Sequence, residues 1–172
     1  MEMATNLTGE KSIQEVTILA AHRSEYPTVK ALIIHGLTQR WGTYDAGFNP
    51  DLDDFAKSYQ QAIVLVAKIA SAIIGCGVLV KDADAIGRIV RMTVCTDHQR
   101  AGIGRKILNA LLAAAQTAGY TEVLLETTST WQSAVAFYTA CGFAPVKMED
   151  GDQHFHRVID ESNRVANRDS CL

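Results

Sequence analysis

Apolar positions along the chain change their spacing several times, and each change marks an element. Glu15 to Ala21 reads as a short strand. A helix is expected from Ser24 or Glu25, because Pro27 suits a first turn and Val29, Leu32, Ile33 and Leu37 give an apolar face ending near Gly42. Pro50-Asp51-Leu52-Asp53-Asp54 begins a second short helix, with carboxylates at its positive end. Ala62 to Lys68 and Ala72 to Val80 read as a hairpin, followed by a strand from Ala85 to Val94. Ile103, Ile107, Leu108, Leu111, Leu112 and Ala115 then recur at helical spacing, with Arg105, Lys106, Asn109 and Gln116 off the stripe and Gly119 as a stop. The predicted order is βααβββαβαββ, an α/β fold with a mixed central sheet and helices on both faces.

Composition narrows the class. A chain of 172 residues that is 48% hydrophobic suffices for one domain, expected over 1–172 with a flexible start at 1–12 and a polar tail at 160–172. A net charge of -3, with no basic stripe beyond Arg88, Arg91, Arg100, Arg105 and Lys106, argues against nucleic acid as a partner. Cys76, Cys95, Cys141 and Cys171 form no C-x-x-C pair, which points to reduced thiols in the cytoplasm. The polar Met1 to Thr8 lacks the apolar region of a signal peptide, and no apolar run is long enough to span a bilayer, so no membrane partner is expected. Asn6-Leu7-Thr8 matches a glycosylation sequon, a chance match in a cytosolic protein.

The candidate chemistry starts at Gln99-Arg100-Ala101-Gly102-Ile103-Gly104, which follows the apolar run Ile89 to Val94 and opens the long amphipathic helix. Two glycines there remove the Cβ atoms that would block close approach, and the unpaired amides of the first helical turn point outward, as an anion site requires. Arg100 and Arg105 add positive charge. A P-loop reading fails, because no Lys-Ser or Lys-Thr pair follows Gly104. A dinucleotide fingerprint has Glu126 where a ribose-binding acid belongs, but its third glycine would be Ile107.

The stretch Val94 to Gly104 resembles the acyl-CoA pyrophosphate loop of the GNAT superfamily of N-acetyltransferases, Q/R-x-x-G-x-G/A after a strand, filled here by Gln99, Gly102 and Gly104. The resemblance continues through Gly119-Tyr120 and the strand Val123 to Thr127. It ends in Ala134-Val135-Ala136-Phe137-Tyr138-Thr139-Ala140-Cys141-Gly142-Phe143, which is similar to the closing A-x-x-[FL]-Y-x-x-x-G-F signature. The two motifs span roughly residues 85 to 148 in the family's order. Thr96 and His98 depart from the proline and aromatic residue common in the family. Trp131 stands where many relatives carry an asparagine that touches the cofactor; an indole offers packing area instead of a hydrogen bond.

The resemblance implies a GNAT-like sheet in which the strand ending at Val94 and the one carrying Leu124 run parallel and splay apart. Acetyl-CoA, the expected cosubstrate, then pairs with backbone groups of Met92, Thr93 and Val94 like a borrowed strand, lays its pyrophosphate on Gln99, Arg100, Ala101, Gly102, Ile103, Gly104 and Arg105, and packs on Trp131. By the same resemblance, the amide of Val94 or a neighbour is the oxyanion donor and Tyr138 the general acid, and a homodimer is a possible assembly. From its pattern alone, Tyr138 also reads as a packing residue on a face with Trp131, Ala134, Val135 and Cys141.

Glu126, at a strand end, is the candidate base, or else a solvated carboxylate. His154 and His156 alternate on one face of a late strand; without Asp, Glu or Cys at ligand spacing no metal is expected. The resemblance implies that Trp41 to Asp54 forms the acceptor wall; its aromatics and acids suit a cationic amine, or the acids cap a helix. Arg91, alternating with Val90 and Met92, would favour a carboxylate-bearing acceptor if it faces the cleft. The expected function is acetyl transfer from acetyl-CoA to a primary amine; the alternative is an acyl-CoA-binding regulatory domain without turnover.

Overall fold

The computed structural model describes residues 15–159. The sequon, Cys171 and the polar tail lie outside this range.

Strand β1 (Val16–Ala20) leads through a 3-10 turn into helix α1 (Tyr26–Trp41). Pro27 sits in its first turn, and Gly42 ends it at φ +77°, the left-handed conformation in which a Cβ is unwelcome. Two 3-10 turns, Ala46–Phe48 and Pro50–Leu52, precede the four-residue helix α2 (Phe55–Ser58), whose N-terminus is capped by the Asp54 side chain accepting from the Lys57 amide at 3.1 Å. Strands β2 (Ile63–Ile69), β3 (Ala72–Ala83) and β4 (Ile86–Val94) follow, then α3 (Ile103–Thr117), β5 (Glu122–Thr128), α4 (Gln132–Ala140), β6 (Ala144–Glu149) and β7 (Asp152–Val158). The second expected helix is thus split into the 3-10 turn Pro50–Leu52 and α2, and β3 outruns its apolar stretch because its polar end still pairs with β4, Ala83 opposite Ile86.

One sheet of seven strands has the order β1-β2-β3-β4-β5-β7-β6. All neighbours are antiparallel except β4 and β5, which run parallel and pair only at Ile86↔Glu122, Gly87↔Val123 and Arg88↔Leu124. Beyond Arg88 the two strands separate, so the carboxyl-terminal half of β4 has β3 on one side and no strand on the other.

Alternation along the sheet divides the core in two. Val64, Val66, Cys76 and Val78 pack with Val29, Leu32, Ile33, Leu52 and Phe55 under α1 and α2. Leu65, Ala67, Leu79 and Ile89 face the other way, onto Ile103, Ile107, Leu108 and Leu111 of α3 and Tyr138 and Cys141 of α4. Helices therefore cover both faces, as the pattern predicts. Among the described residues no helix is long and apolar enough to cross a membrane.

Candidate active site

The parted strands open onto a cavity of about 1140 Å³. Its walls come from the end of α1 and the following loop, the unpaired half of β4, the end of β5 with the loop into α4, and the β6–β7 turn. Of the residues singled out from sequence, Met92, Thr93, Glu126, Trp131 and Tyr138 line this one space. Val94 and the segment Gln99 to Arg105 lie beyond its rim, at the end of β4 and the start of α3.

That start is built as a receptor for negative charge. Arg100 (φ +61°) and Gly102 (φ +78°) both adopt left-handed backbone, turning the chain sharply out of the loop, and no side chain caps α3. Lys106 donates the first helical bond, to the Gly102 carbonyl at 3.1 Å, so the amides of Ile103, Gly104 and Arg105 have no intrahelical acceptor. Gln99 braces the turn, its side-chain amide donating to the Val94 carbonyl at 3.0 Å. The two glycines differ in role. Gly102 is needed for its backbone angle, whereas a Cβ on Gly104 would meet only Phe137 and Val94 at ordinary distances, so Gly104 leaves room for an occupant. An uncapped helix start beside a Cβ-free approach fits a pyrophosphate.

Tyr138 sits on the inner wall, 9% exposed, with the rings of Phe137, Phe143 and Phe155 around it at centroid distances of 5.1 to 6.1 Å. Burial pushes its phenol up to about 12, against the opposing charge of Arg40. Tyr138 packs in the core, as its pattern predicts, and it also lines the cavity.

Glu126 lies on the cavity wall, ion-paired with Arg88 and with His154 Nδ1 3.5 Å away. His154 stands opposite it in register across β5 and β7, and His156 Nδ1 lies 2.9 Å from Glu122 on the same sheet face. The alternating histidines are thus engaged by glutamates of the neighbouring strand.

Arg91 does not alternate with its neighbours. The β3–β4 register shifts between Cys76 and Val78, and Arg91 occupies the resulting bulge at φ +56°. Its guanidinium reaches the cavity side but is taken up by Asp51, Nε donating at 2.9 Å, and by Asn49 Oδ1 at 2.8 Å; Tyr59 also donates to Asp51. Burial raises the Asp51 carboxyl, but the bonds from Arg91 and Tyr59 outweigh it and hold the group below its ordinary range. Arg91 is therefore a neutralised brace and not a free anion receptor.

The expected acceptor wall does line the cavity, with Trp41, Tyr44, Asp45 and Phe48. Three contributions have no mark in the sequence. Asp150 and Asp152 enter from the β6–β7 turn, and Arg40 enters from α1, its guanidinium carbon 4.3 Å above the Trp131 ring. A basic residue in the last helical turn usually reads as a complement to the helix dipole, and the distance to Trp131 exists only in the fold.

A family model described as an acetyltransferase (GNAT) domain matches residues 60–145. N-acetyltransferase 8F1 of Rattus norvegicus is 32% identical over 114 residues, 61% of this chain and 51% of that protein; the chain spans about half the length of the curated relatives it matches. Among solved structures, an acetyltransferase of the GNAT family from Staphylococcus aureus superposes with a TM-score of 0.75 at 19% identity, over 85% of this chain and all of the other. The PaiA N-acetyltransferase of Thermoplasma acidophilum, solved with coenzyme A, superposes with a TM-score of 0.72 at 16% identity, over 84% and 99%. With the parted β4 and β5, the uncapped start of α3 and half of the chain inside the family's own profile, this protein belongs to the GNAT acetyltransferase superfamily.

Proposed function

We propose that the protein transfers an acetyl group from acetyl-CoA to a primary amine by direct attack in a ternary complex. The observation that carries this reading is the departure of β4 from β5 after Arg88, which leaves an unpaired strand edge running from the uncapped α3 start to the cavity that Tyr138 lines. Coenzyme A is bound by the PaiA relative of the same fold, which supports the same ligand here. Gln99, Arg100, Ala101, Gly102, Ile103, Gly104 and Arg105 would hold the pyrophosphate, and backbone groups of Met92, Thr93 and Val94 the pantetheine amides. Trp131 offers packing area beside them.

When bound, acetyl-CoA supplies the activated acyl carbon. The protein's own groups do the rest. The amide of Val94 or a neighbour is the oxyanion donor, and Tyr138 holds a proton at neutral pH for the departing sulfur. Glu126, directly or through water, receives the proton the amine gives up. Asp45, Asp150 and Asp152 line the cavity without an ion-pair partner among the described residues, a charge balance that suits an amine arriving protonated.

The test is calorimetric titration with acetyl-CoA together with thiol release across a panel of amines. Gly104→Leu is expected to abolish acetyl-CoA binding with the fold intact; retained binding would reject the assignment of the loop. Tyr138→Phe should lower kcat about a hundredfold, the scale of a lost general acid, while the acetyl-CoA Kd stays within about twofold. Binding without turnover by any amine would favour the regulatory-domain alternative.

A further inference from the structure

Arg40 and Trp41 in the last turn of α1, Trp131 at the N-cap of α4 and Tyr138 within α4 all line the cavity. Trp41 and Trp131 stack with ring centroids 5.1 Å apart at 47°, and the Arg40 guanidinium lies over the Trp131 ring. Tyr138, two turns further along α4, lines the same space. Arg88 and Arg91 each pair with carboxylates, but Arg40 pairs with none among the described residues. An arginine held by aromatic rings and left without a counter-ion keeps its charge available to the cavity.

We propose that Arg40, fixed on the Trp131–Trp41 platform, is a positioning residue for proton transfer by Tyr138, stabilising the phenolate that forms as the tyrosine protonates the departing thiolate. The inference rests on the acetyltransferase reading given above. In the step concerned, the amine nitrogen bonds to the acyl carbon, the carbon–sulfur bond breaks, and its electron pair leaves on sulfur, which takes the Tyr138 proton. The proton that the amine gives up to Glu126 passes through solvent to the phenolate, which resets both groups, and the products are an amide and free thiol.

The need for Arg40 follows from the surroundings of Tyr138. Phe137, Phe143 and Phe155 provide no compensating charge, and the titratable groups acting on the phenol are Arg40 from α1 and Cys141 at the C-cap of α4. Burial and Cys141 push the phenol up, and Arg40 alone pulls it down. An unperturbed thiol has a pKa of about 8.5, so transfer from so weak an acid runs uphill unless a nearby cation lowers the charge it creates. The aromatic platform supplies the geometry: with an indole beneath it, the guanidinium cannot drift to solvent without losing that contact.

The experiment labels all five tyrosines of the full chain with 3,5-difluorotyrosine, whose more acidic phenol titrates where the fold persists, and follows them by fluorine NMR. Tyr138→Phe assigns the resonance. The Tyr138 midpoint is expected to rise by at least about 0.5 pH unit in Arg40→Gln and to return toward wild type in Arg40→Lys. In parallel, thiol release from acetyl-CoA with spermidine, benzylamine or glycinamide should fall about tenfold in kcat for Arg40→Gln, with the alkaline limb of the pH profile displaced, and should not fall further when Tyr138→Phe is already present. An unmoved midpoint overturns the proposal. So does an equal loss in both backgrounds with a raised KM for the amine, which would make Arg40 an acceptor-binding group. Absence of thiol release by the wild type with every amine sinks the acetyltransferase reading and the proton-transfer role with it, and the NMR titration still reads the Arg40–Tyr138 coupling separately.

Discussion

Arg91, Asp51 and Tyr59 tie three segments together at one corner of the cavity: the bulge in β4, a 3-10 turn, and the residue that follows α2. Asp51→Asn removes the negative charge and one of the two acceptor oxygens that the half-buried guanidinium and the buried phenol share, so it should cost about 2 kcal/mol at pH 7, measured by urea unfolding. The sign of its pH dependence follows from the depressed Asp51 carboxyl. Its contribution is complete above the ordinary carboxylate range and is lost as pH falls through the lower folded value, so the difference between wild type and variant should shrink in acid. From sequence, Arg91 is an anion receptor only on the condition that it faces the cleft, and its partners Asp51 and Asn49 have no mark there. Strict alternation places Arg91 opposite Val90 and Met92, and the extra residue that breaks the alternation is visible only where β4 passes Gly77 of β3. Arg40 was equally silent, because its partner Trp131 is ninety-one positions away along the chain.

At the scale of elements, the apolar stripe of α3 was legible because it is continuous and faces one neighbour: Ile103, Ile107, Leu108, Leu111 and Ala115 are all buried. What the stripe does not reveal is how closely the helix lies on the sheet. A Cβ on Gly77 would stand 2.8 Å from both Leu111 Cδ1 and Met92 Sδ, and one on Gly75 would stand 2.9 Å from Ile107 Cδ1 and 3.1 Å from the Thr93 carbonyl oxygen. The second clash includes backbone, which yields less readily than a side-chain tip. Gly75→Ala is therefore expected to destabilise by about 1–3 kcal/mol and more than Gly77→Ala, read as thermal or denaturant midpoints. Helix α1 approaches the other face in the same way, Gly36 against Thr93 of β4. Pro50 and the three acids that follow predict a second short helix, and the structure divides it into a 3-10 turn and the four-residue α2, because only Leu52 and Phe55 are buried there, too few to hold a longer one.

Across the whole molecule, two leaves of sheet, β1 to β4 and β5 with β7 and β6, are joined by three residue pairs. The element order and both motifs were readable because each rests on local pattern, whereas the point at which β4 and β5 part depends on register and has no local mark. Under the proposed function, those amides of β4 residues 89–94 that point away from β3, toward the gap left by β5, should exchange rapidly in the free protein and become protected when acetyl-CoA is added. The same binding should stabilise the fold by about 2.7 kcal/mol at a ligand concentration one hundred times Kd, seen as a rise in Tm. Unchanged exchange in β4 with protection elsewhere would place the ligand outside the seam.

An open seam is also a sheet edge, and edges are where one chain can add to another. Most proteins blunt their outer edges with charge or proline; this one keeps an additional edge inside the molecule, flanked by α1 and α4, where the Trp41–Trp131 contact narrows the way in. Self-association through β4 is thus held off by access and not by sequence, and the hazard grows whenever those helices loosen. Solutions of the protein warmed just below unfolding should aggregate more slowly with coenzyme A present than without it, because the ligand fills the edge that a second chain would otherwise find.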